Sequence, residues 1–313
     1  NFANKLWNAG RFILSNLDGP TRPLAGPQVN VVRADELTLA DRWIIARCDA
    51  AVRDVTDAYE RFRLNDAAAT VYRFIWSDLA DWYIEQIKPR LYGDIPGGDV
   101  ARAVAASVFD VALRLLHPVT PFITEALWGR LPGRPPETTI VRARWPQPDS
   151  RACDDAALRE FGLVQELVGG IRAIRAEYGI QPGQQIRAIV SGTSTAARNA
   201  FDAEHGTITR LAKLASLSFE ASDETVGGHA VLNDGSSLFV PLGDAIDVGR
   251  ECKRLGDEVA RLRQLTASQR AKLANAQFTA RAPADVVQRE RQKLESWTEQ
   301  ADLLTQKREL LGC

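Results

Sequence analysis

The sequence of 313 residues contains no methionine, three histidines and four widely spaced cysteines. Because these residues do not fall at ligand spacing, no zinc site or other metal site is expected. Cysteines scattered in this way also exclude a small, disulfide-stapled secreted scaffold. Natural chains of this length usually carry several methionines. We therefore expect a piece of a longer protein, or a sequence from which residues at methionine positions are missing.

Long apolar runs and the common catalytic motifs are missing as well. No run of about 18 apolar residues is present, so no helix is expected to cross a membrane. The first residues lack the basic and apolar regions of a secretory signal peptide, and a reducing, cytoplasmic location is therefore expected. The P-loop, dinucleotide-binding and HExxH signatures are all absent.

One cluster of three acidic residues has the spacing of paired carboxylates. Asp78, Asp81 and Glu85 fall on neighbouring turns of a predicted helix. Such groups are usually solvated or salt-bridged, here with Arg73 or Lys88. We therefore expect no catalytic residue and infer that the chain binds a partner.

Residues 1–148 are predicted to form a helix bundle. Apolar residues recur at spacings of three and four, which indicates amphipathic helices. Thr38 can cap the second helix and Thr120 the fifth, and Pro89 is expected to end the third. The predicted helices are 1–17, 39–63, 67–88, 100–116 and a short one from 121.

Residues 149–246 are predicted to form a small α/β domain. A helix capped by Asp154 or Asp155 ends near Tyr178, and a second helix is predicted over 195–214. Several short apolar or alternating stretches indicate strands, and Asn233-Asp234-Gly235 is typical of a hairpin turn. The predicted strands are 185–190, 217–222, 229–233 and 237–242.

Residues 247–313 are predicted to form an antiparallel two-helix hairpin, here called the arm. Heptad spacings run from Val248 to Leu273 and again from Val287 to Leu311. Residues 250–313 carry 13 basic and 9 acidic side chains, against 26 and 31 in the other 249 residues, so the arm is the basic part. The expected fold class is mainly α: a helix bundle, a small α/β domain and a coiled-coil hairpin.

The first helix carries a polar face suited to unpaired nucleic-acid bases. Asn4, Lys5, Asn8 and Arg11 lie opposite the apolar residues, and Phe12 flanks them. Amide and guanidinium groups hydrogen-bond base edges, and aromatic rings stack on unpaired bases. The alternative is that the aromatic residues belong to the bundle core and the polar residues only face solvent.

Five segments in order along the chain have a family-specific character. They are NFANKLWNAGRF (1–12), WSDLADWYIEQIKP (76–89), LLHPVTPFITEALW (115–128), IRAIRAEYGIQP (171–182) and AKLANAQFTARAPADVVQRERQKL (271–294). Together they resemble valyl-tRNA synthetases. The isoleucyl and leucyl enzymes share versions of the second and third segments, so the equivalent part of such an enzyme is one alternative, and a structural coiled-coil interaction protein is another. The starting NKLWNA and the terminal hairpin are far more specific to the valyl family.

The resemblance implies the tRNA-binding portion of a larger enzyme. Residues 1–148 would form the anticodon-binding bundle, 149–246 a linker domain, and 247–313 a coiled-coil arm on the outer corner of valine tRNA. The catalytic domain and the editing domain would precede Asn1 in the same polypeptide, and the parent enzyme would use ATP and magnesium. This segment is then expected to hold no cofactor, to form no valyl-adenylate and to be a monomer.

The candidate tRNA contacts fall into two groups. The anticodon-binding candidates are Asn4, Lys5, Asn8, Arg11 and Phe12. In the arm, basic side chains can form a face that tracks phosphates, although any single one can instead be merely solvated. The arm candidates are Arg261, Arg270, Lys272, Arg281, Arg289 and Lys293.

Overall fold

The computed structural model describes residues 2–17, 32–135, 137–149, 153–220, 226–243 and 246–313. The chain divides into two compact units, Asn1–Gly162 and Leu163–Cys313. Within the described residues it is mainly helical with a four-stranded sheet, which confirms the predicted fold class. No helix in that part of the chain is long and apolar enough to cross a membrane.

The first unit is a bundle of helices. A π-helical stretch, Phe74–Tyr83, joins α3 to α4, and 3-10 turns cover Ala34–Glu36 and Ile140–Arg142. Helix α7 (Asp155–Glu177) begins in this unit and continues into the second. The other helices are α1 (Phe2–Ser15), α2 (Leu39–Glu60), α3 (Leu64–Arg73), α4 (Ile84–Tyr92), α5 (Gly98–Leu116) and α6 (Pro121–Trp128).

Apolar side chains from these helices form the core of the first unit. Trp43 of α2 stacks on Phe161 at the start of α7, with ring centroids 4.3 Å apart. Burial of such side chains stabilises the bundle by about 1.5–3 kcal/mol each. Fully or almost fully buried members are Leu6, Ile13, Ile44, Val55, Ile75, Leu79, Ile87, Phe109, Leu113 and Phe161.

The start of α2 confirms the predicted cap and leads to a buried ionic network. The Thr38 hydroxyl accepts a hydrogen bond from the Asp41 backbone, and the Asp41 carboxylate accepts one from the Thr38 backbone. The same carboxylate accepts two hydrogen bonds from Arg90, at 2.7 and 2.9 Å, and one from the Tyr83 hydroxyl at 2.6 Å. This network ties α2 to the π-helix and α4. Burial is the main cause that raises the pKa of Tyr83 well above 10.

The predicted third helix, 67–88, is wrong in three respects. It begins earlier, at Leu64, it is divided into α3, the π-helix and α4, and it continues beyond Pro89 to Tyr92. The Arg90 side chain reaches both Asp41 and the backbone oxygen of Gly97. Because these contacts hold the turn after Pro89, the helix survives the proline and ends at Gly93, whose φ is +85°.

The second unit contains a sheet with strand order β2-β1-β4-β3. Strands β1 and β2 are parallel, and the other neighbouring pairs are antiparallel. The hairpin predicted at Asn233-Asp234-Gly235 joins β3 to β4, and Gly235 has a φ of +86°. The elements are β1 (Ile186–Ser191), α8 (Thr195–Ala203), α9 (His205–Ala212), β2 (Leu214–Ser218), β3 (Gly227–Val231) and β4 (Ser237–Pro241).

Long-range pairing shifts several of these elements from their predicted bounds. The predicted helix 195–214 is two helices that meet at Glu204. Strand β2 begins at Leu214, three residues early, because it pairs there with Ile186 of β1. Strand β3 also begins early, at Gly227, where a Cβ atom would overlap the ring of Phe239.

The arm is an antiparallel hairpin, as predicted. Helix α10 (Val248–Ala274) and helix α12 (Ala284–Leu310) are each 27 residues long, and the short α11 (Ala276–Arg281) lies between them. Asp247 caps α10 by accepting a hydrogen bond from the Arg250 backbone. The seam buries side chains of both helices, namely Leu255, Val259, Leu262, Thr266, Gln269, Val287 and Ala301.

The arm is closed at its base by a disulfide that the sequence analysis did not predict. Cys252, in the first turns of α10, pairs with Cys313, and their Cα atoms are 5.9 Å apart. The pairing was missed because 61 residues separate the two cysteines and only the hairpin brings them together. Cys48 and Cys153 are free thiols.

Candidate nucleic-acid interface

Helix α1 places its polar residues as the sequence predicts. Asn4, Asn8 and Arg11 are exposed, whereas Leu6 and Ile13 on the opposite side are buried. Among the described residues, no hydrogen bond, ion pair or ring contact engages the three polar side chains. They form a row that a ligand can reach.

Close packing fixes α1 on the bundle. A Cβ atom on Gly10 would lie 2.8 Å from Phe109 Cζ and 2.9 Å from Leu127 Cδ2, so only glycine fits without rearrangement. The helix therefore lies directly against α5 and α6. Its outward polar row is therefore held on a rigid support.

Lys5 differs from the other candidates because it is already engaged. Its Nζ lies 2.5 Å from Asp81 Oδ1 and 3.8 Å from the centroid of the Trp76 ring. Both partners belong to the π-helix. The Lys5 charge is therefore partly neutralised inside the protein, which weakens the case for a phosphate contact at this residue.

Aromatic rings continue from this lysine along the surface, and the sequence analysis missed them. The Trp76 ring is nearly parallel to that of Tyr72, with centroids 5.5 Å apart, and Tyr72 lies 4.7 Å from Phe2. Tyr72 is 39% exposed. The spacing of four between Tyr72 and Trp76 was a possible signal, but the contribution of Phe2 depends on how α1 packs.

Phe12, the aromatic candidate, lies farther along α1 in a separate contact. It is half-buried, meets Tyr92 edge to face at 6.4 Å, and has the Lys88 ammonium 5.8 Å from its ring. Tyr92 is exposed. Phe12 is therefore part of a small aromatic contact at the surface rather than of the deep core.

The acidic group on the π-helix and α4 is salt-bridged, as expected, although mostly to partners other than those predicted. Arg73 pairs with none of the three carboxylates among the described residues. Burial raises the pKa of Asp78, and its arginine partner opposes that shift. The pairs are Asp78 with Arg47, Asp81 with Lys5 and Glu85 with Lys88.

In the distal half of the arm, the seam becomes polar. The buried Gln269 amide donates to the backbone oxygen of Glu290 at 3.1 Å and to its carboxylate at 2.7 Å. Lys272 and Lys293 also bind this carboxylate, at 2.8 and 2.9 Å. A polar contact of this kind in the seam sets the register of two helices, because a slip would leave the buried Gln269 amide without its partner.

The six arm candidates therefore fall into two classes. Four are paired with carboxylates of the arm: Lys272 and Lys293 with Glu290, Arg261 with Glu258, and Arg289 with Asp285. Arg270 and Arg281 are exposed and have no such partner among the described residues. These two are the arm candidates most available to an external phosphate.

Glu290 gives the arm a defined dependence on pH. Hydrogen bonds from Lys272, Gln269 and Lys293 lower its pKa to about 2. A carboxylate whose pKa is lowered by folding stabilises the protein above its unfolded pKa of about 4.3, and this contribution disappears as the pH falls towards 2.

We expect Glu290→Gln to lower the melting temperature at pH 7, and the difference from wild type to vanish near pH 2. Thermal unfolding followed by circular dichroism measures the difference in melting temperature. A difference that is unchanged down to pH 2 contradicts the stabilising role of the Glu290 carboxylate.

Two family matches cover most of the chain. Residues 41–190 match the anticodon-binding domain of tRNA ligase, and residues 247–312 match the valyl tRNA synthetase tRNA binding arm. The valine–tRNA ligase of Carboxydothermus hydrogenoformans is 38% identical over 307 residues, which cover 98% of this chain and 34% of that protein. The one from Geobacter sulfurreducens is 40% identical over 308 residues, which cover 97% and 34%. The chain belongs to the valyl-tRNA synthetase family.

Its place in that family is the C-terminal portion, and it spans about a third of the length of the valyl-tRNA synthetases that it matches. The match to the valyl arm decides against the isoleucyl and leucyl alternatives and against an unrelated coiled-coil protein. Helix α1 lies outside the 41–190 match. It is included in the similarity to the valine–tRNA ligase of Syntrophotalea carbinolica, which is 35% identical and covers 100% of this chain.

Proposed function

We propose that this chain is the tRNA-binding part of a valine–tRNA ligase. In this proposal, the bundle binds the anticodon of valine tRNA through α1, and the arm binds the tRNA elbow. The remainder of the parent polypeptide would form valyl-adenylate with ATP and magnesium. The row Asn4, Asn8 and Arg11 carries the proposal, because it is exposed and unengaged among the described residues. A monomeric state and a cytoplasmic location stay predictions.

The chemistry of the row suits bases better than phosphates. The Arg11 guanidinium can donate two parallel hydrogen bonds to one base edge or stack on its face. The Asn8 amide offers both a donor and an acceptor, which a base edge can match and a phosphate cannot. Both side chains project from a helix that is packed closely against α5 and α6. Specificity for the anticodon is therefore expected to arise here.

The test is an Arg11→Ala substitution, assayed with two RNAs at one fixed salt concentration. We expect binding of valine tRNA to weaken by about 1–3 kcal/mol, the value of one good base contact. The binding of a tRNA with a changed anticodon should weaken much less. Filter binding or fluorescence anisotropy measures both affinities, and circular dichroism checks that the helices are intact.

A matched variant separates base reading from simple charge. Arg11→Lys keeps the positive charge but cannot make the planar pair of hydrogen bonds, so it should not restore affinity for valine tRNA. If Arg11 only attracts phosphates, lysine restores binding and alanine weakens both RNAs equally, since phosphate contacts carry no sequence information. Either of those results rejects the base-reading role.

A further inference from the structure

We propose that Phe2, Tyr72 and Trp76 form a stacking shelf for one unpaired nucleobase, a site separate from the polar row of α1. The inference rests on the proposed function, since it takes the ligand to be RNA. The three rings come from α1, α3 and the π-helix, and they follow one another at 4.7 and 5.5 Å. Tyr72 and Trp76 are stacked, with 12° between their planes, and Phe2 is tilted by 35° against Tyr72. A base has the same kind of flat face and can add to such a group of rings.

One end of the shelf is covered, and the middle ring is partly exposed. The Lys5 ammonium lies 3.8 Å from the Trp76 ring centroid and covers that end. Tyr72, the middle ring, keeps 39% of its surface exposed, and its neighbour Phe2 is half-buried. A base laid on the exposed part of Tyr72 would bury apolar surface that the free protein leaves in water.

The backbone beneath the shelf is unusual. Residues Phe74–Tyr83 form a π-helix ten residues long, whereas π-helices are rare, mostly single turns, and frequent at functional sites. This stretch supplies both Trp76 and Asp81, the two partners of Lys5. The π-helix therefore supplies both the Trp76 ring and the Asp81 carboxylate that holds Lys5 over this ring.

The charges of the shelf favour a base over a phosphate. Asp81 lies 2.5 Å from Lys5, so the cation nearest the rings is already balanced. A phosphate would gain little there, whereas stacking does not need a free charge. The shelf should therefore add affinity without adding to the salt dependence of binding.

The experiment uses the whole 313-residue chain and the anticodon stem–loop RNA of valine tRNA as the probe. We expect Tyr72→Ala to bind about 5- to 150-fold more weakly, the effect of losing one stacked base, with an unchanged slope of affinity against salt. Tyr72→Phe keeps the ring and should bind within about twofold of wild type. Phe122→Ala is the matched control, because it removes a ring that is 90% exposed on α6, and it should have no effect.

Removing the base provides the second half of the test. Abasic sites are introduced at each loop position in turn, and at one position the effect of Tyr72→Ala should disappear, because ring and base act as a pair. Tyr72→Leu, which keeps apolar volume, replaces the alanine variant if that one unfolds. Any of three results overturns the shelf alone. Tyr72→Ala binds the RNA as tightly as wild type, Tyr72→Phe loses as much affinity as Tyr72→Ala, or the effect of Tyr72→Ala persists at every abasic position. Failure of wild type to bind the RNA overturns the proposed function and the shelf together.

Discussion

We expect a chain with a shortened arm to bind valine tRNA more weakly than the intact chain and with a shallower dependence on salt. Replacing residues 266–293 by a short glycine-rich turn removes six basic and two acidic side chains. The proximal seam, with Leu255, Val259 and Leu262, is kept. Each lost phosphate contact should reduce the slope of log affinity against log salt by about 0.9. Affinities measured from low to moderate salt give that slope.

A less severe variant tests whether charge or length is responsible. The double substitution Arg270→Gln and Arg281→Gln removes only the two candidates that no carboxylate engages among the described residues. It should give an intermediate loss and reduce the slope by up to about 2, while the hairpin stays intact. If neither variant changes the affinity or the slope, the arm does not contact RNA.

Breaking the buried network at the start of α2 has the largest expected effect on stability. Arg90 is 6% exposed and Asp41 is fully buried. Arg90→Met leaves the Asp41 carboxylate buried without its cation, and such a loss typically costs about 3–5 kcal/mol. Denaturant unfolding monitored by circular dichroism measures the change. We expect a lower midpoint of unfolding for the first unit.

Two controls accompany this substitution. Arg61→Met breaks an ion pair with Asp57 in which the arginine is 68% exposed, and it should cost no more than about 1 kcal/mol. Adding Asp41→Asn to Arg90→Met removes the buried unpaired charge and should recover part of the loss. If Arg90→Met is no worse than Arg61→Met, the network does not hold α2 to α4.

The parts of the fold that the sequence predicted correctly depend on local signals. Thr38 and Asp41 are three residues apart and cap α2 by themselves. The hairpin turn at Asn233-Asp234-Gly235 needs only the turn residues, and the arm needs only its heptad spacing. Such short-range patterns carry the information for helix starts, tight turns and coiled-coil seams.

What the sequence did not predict depends on contacts between distant residues. Pro89 predicted a helix end, but Arg90 binds Asp41, 49 residues earlier, and the helix continues. Strand β2 begins early because β1 pairs with it. The disulfide joins Cys252 to Cys313 only because the hairpin folds back. None of these partners can be identified from local spacing.

The candidate interface shows the same division. The outward row of Asn4, Asn8 and Arg11 followed from helical periodicity alone, and its exposure agrees with that prediction. The engagement of Lys5 by Asp81, 76 residues away, could not be predicted in this way. Contact of each candidate with tRNA stays a prediction.

Hydroxyl-radical footprinting of valine tRNA bound to the intact chain shows whether the bundle and the arm are two tRNA-binding surfaces. We expect two separate protected regions, one at the anticodon loop and one at the elbow where the D and T loops meet. The shortened arm should remove the elbow protection and leave the anticodon protection. Two results would contradict the assignment of the bundle and the arm as two tRNA-binding surfaces. One is protection at neither region, and the other is a single protected region that is the same for the intact chain and the chain with the shortened arm.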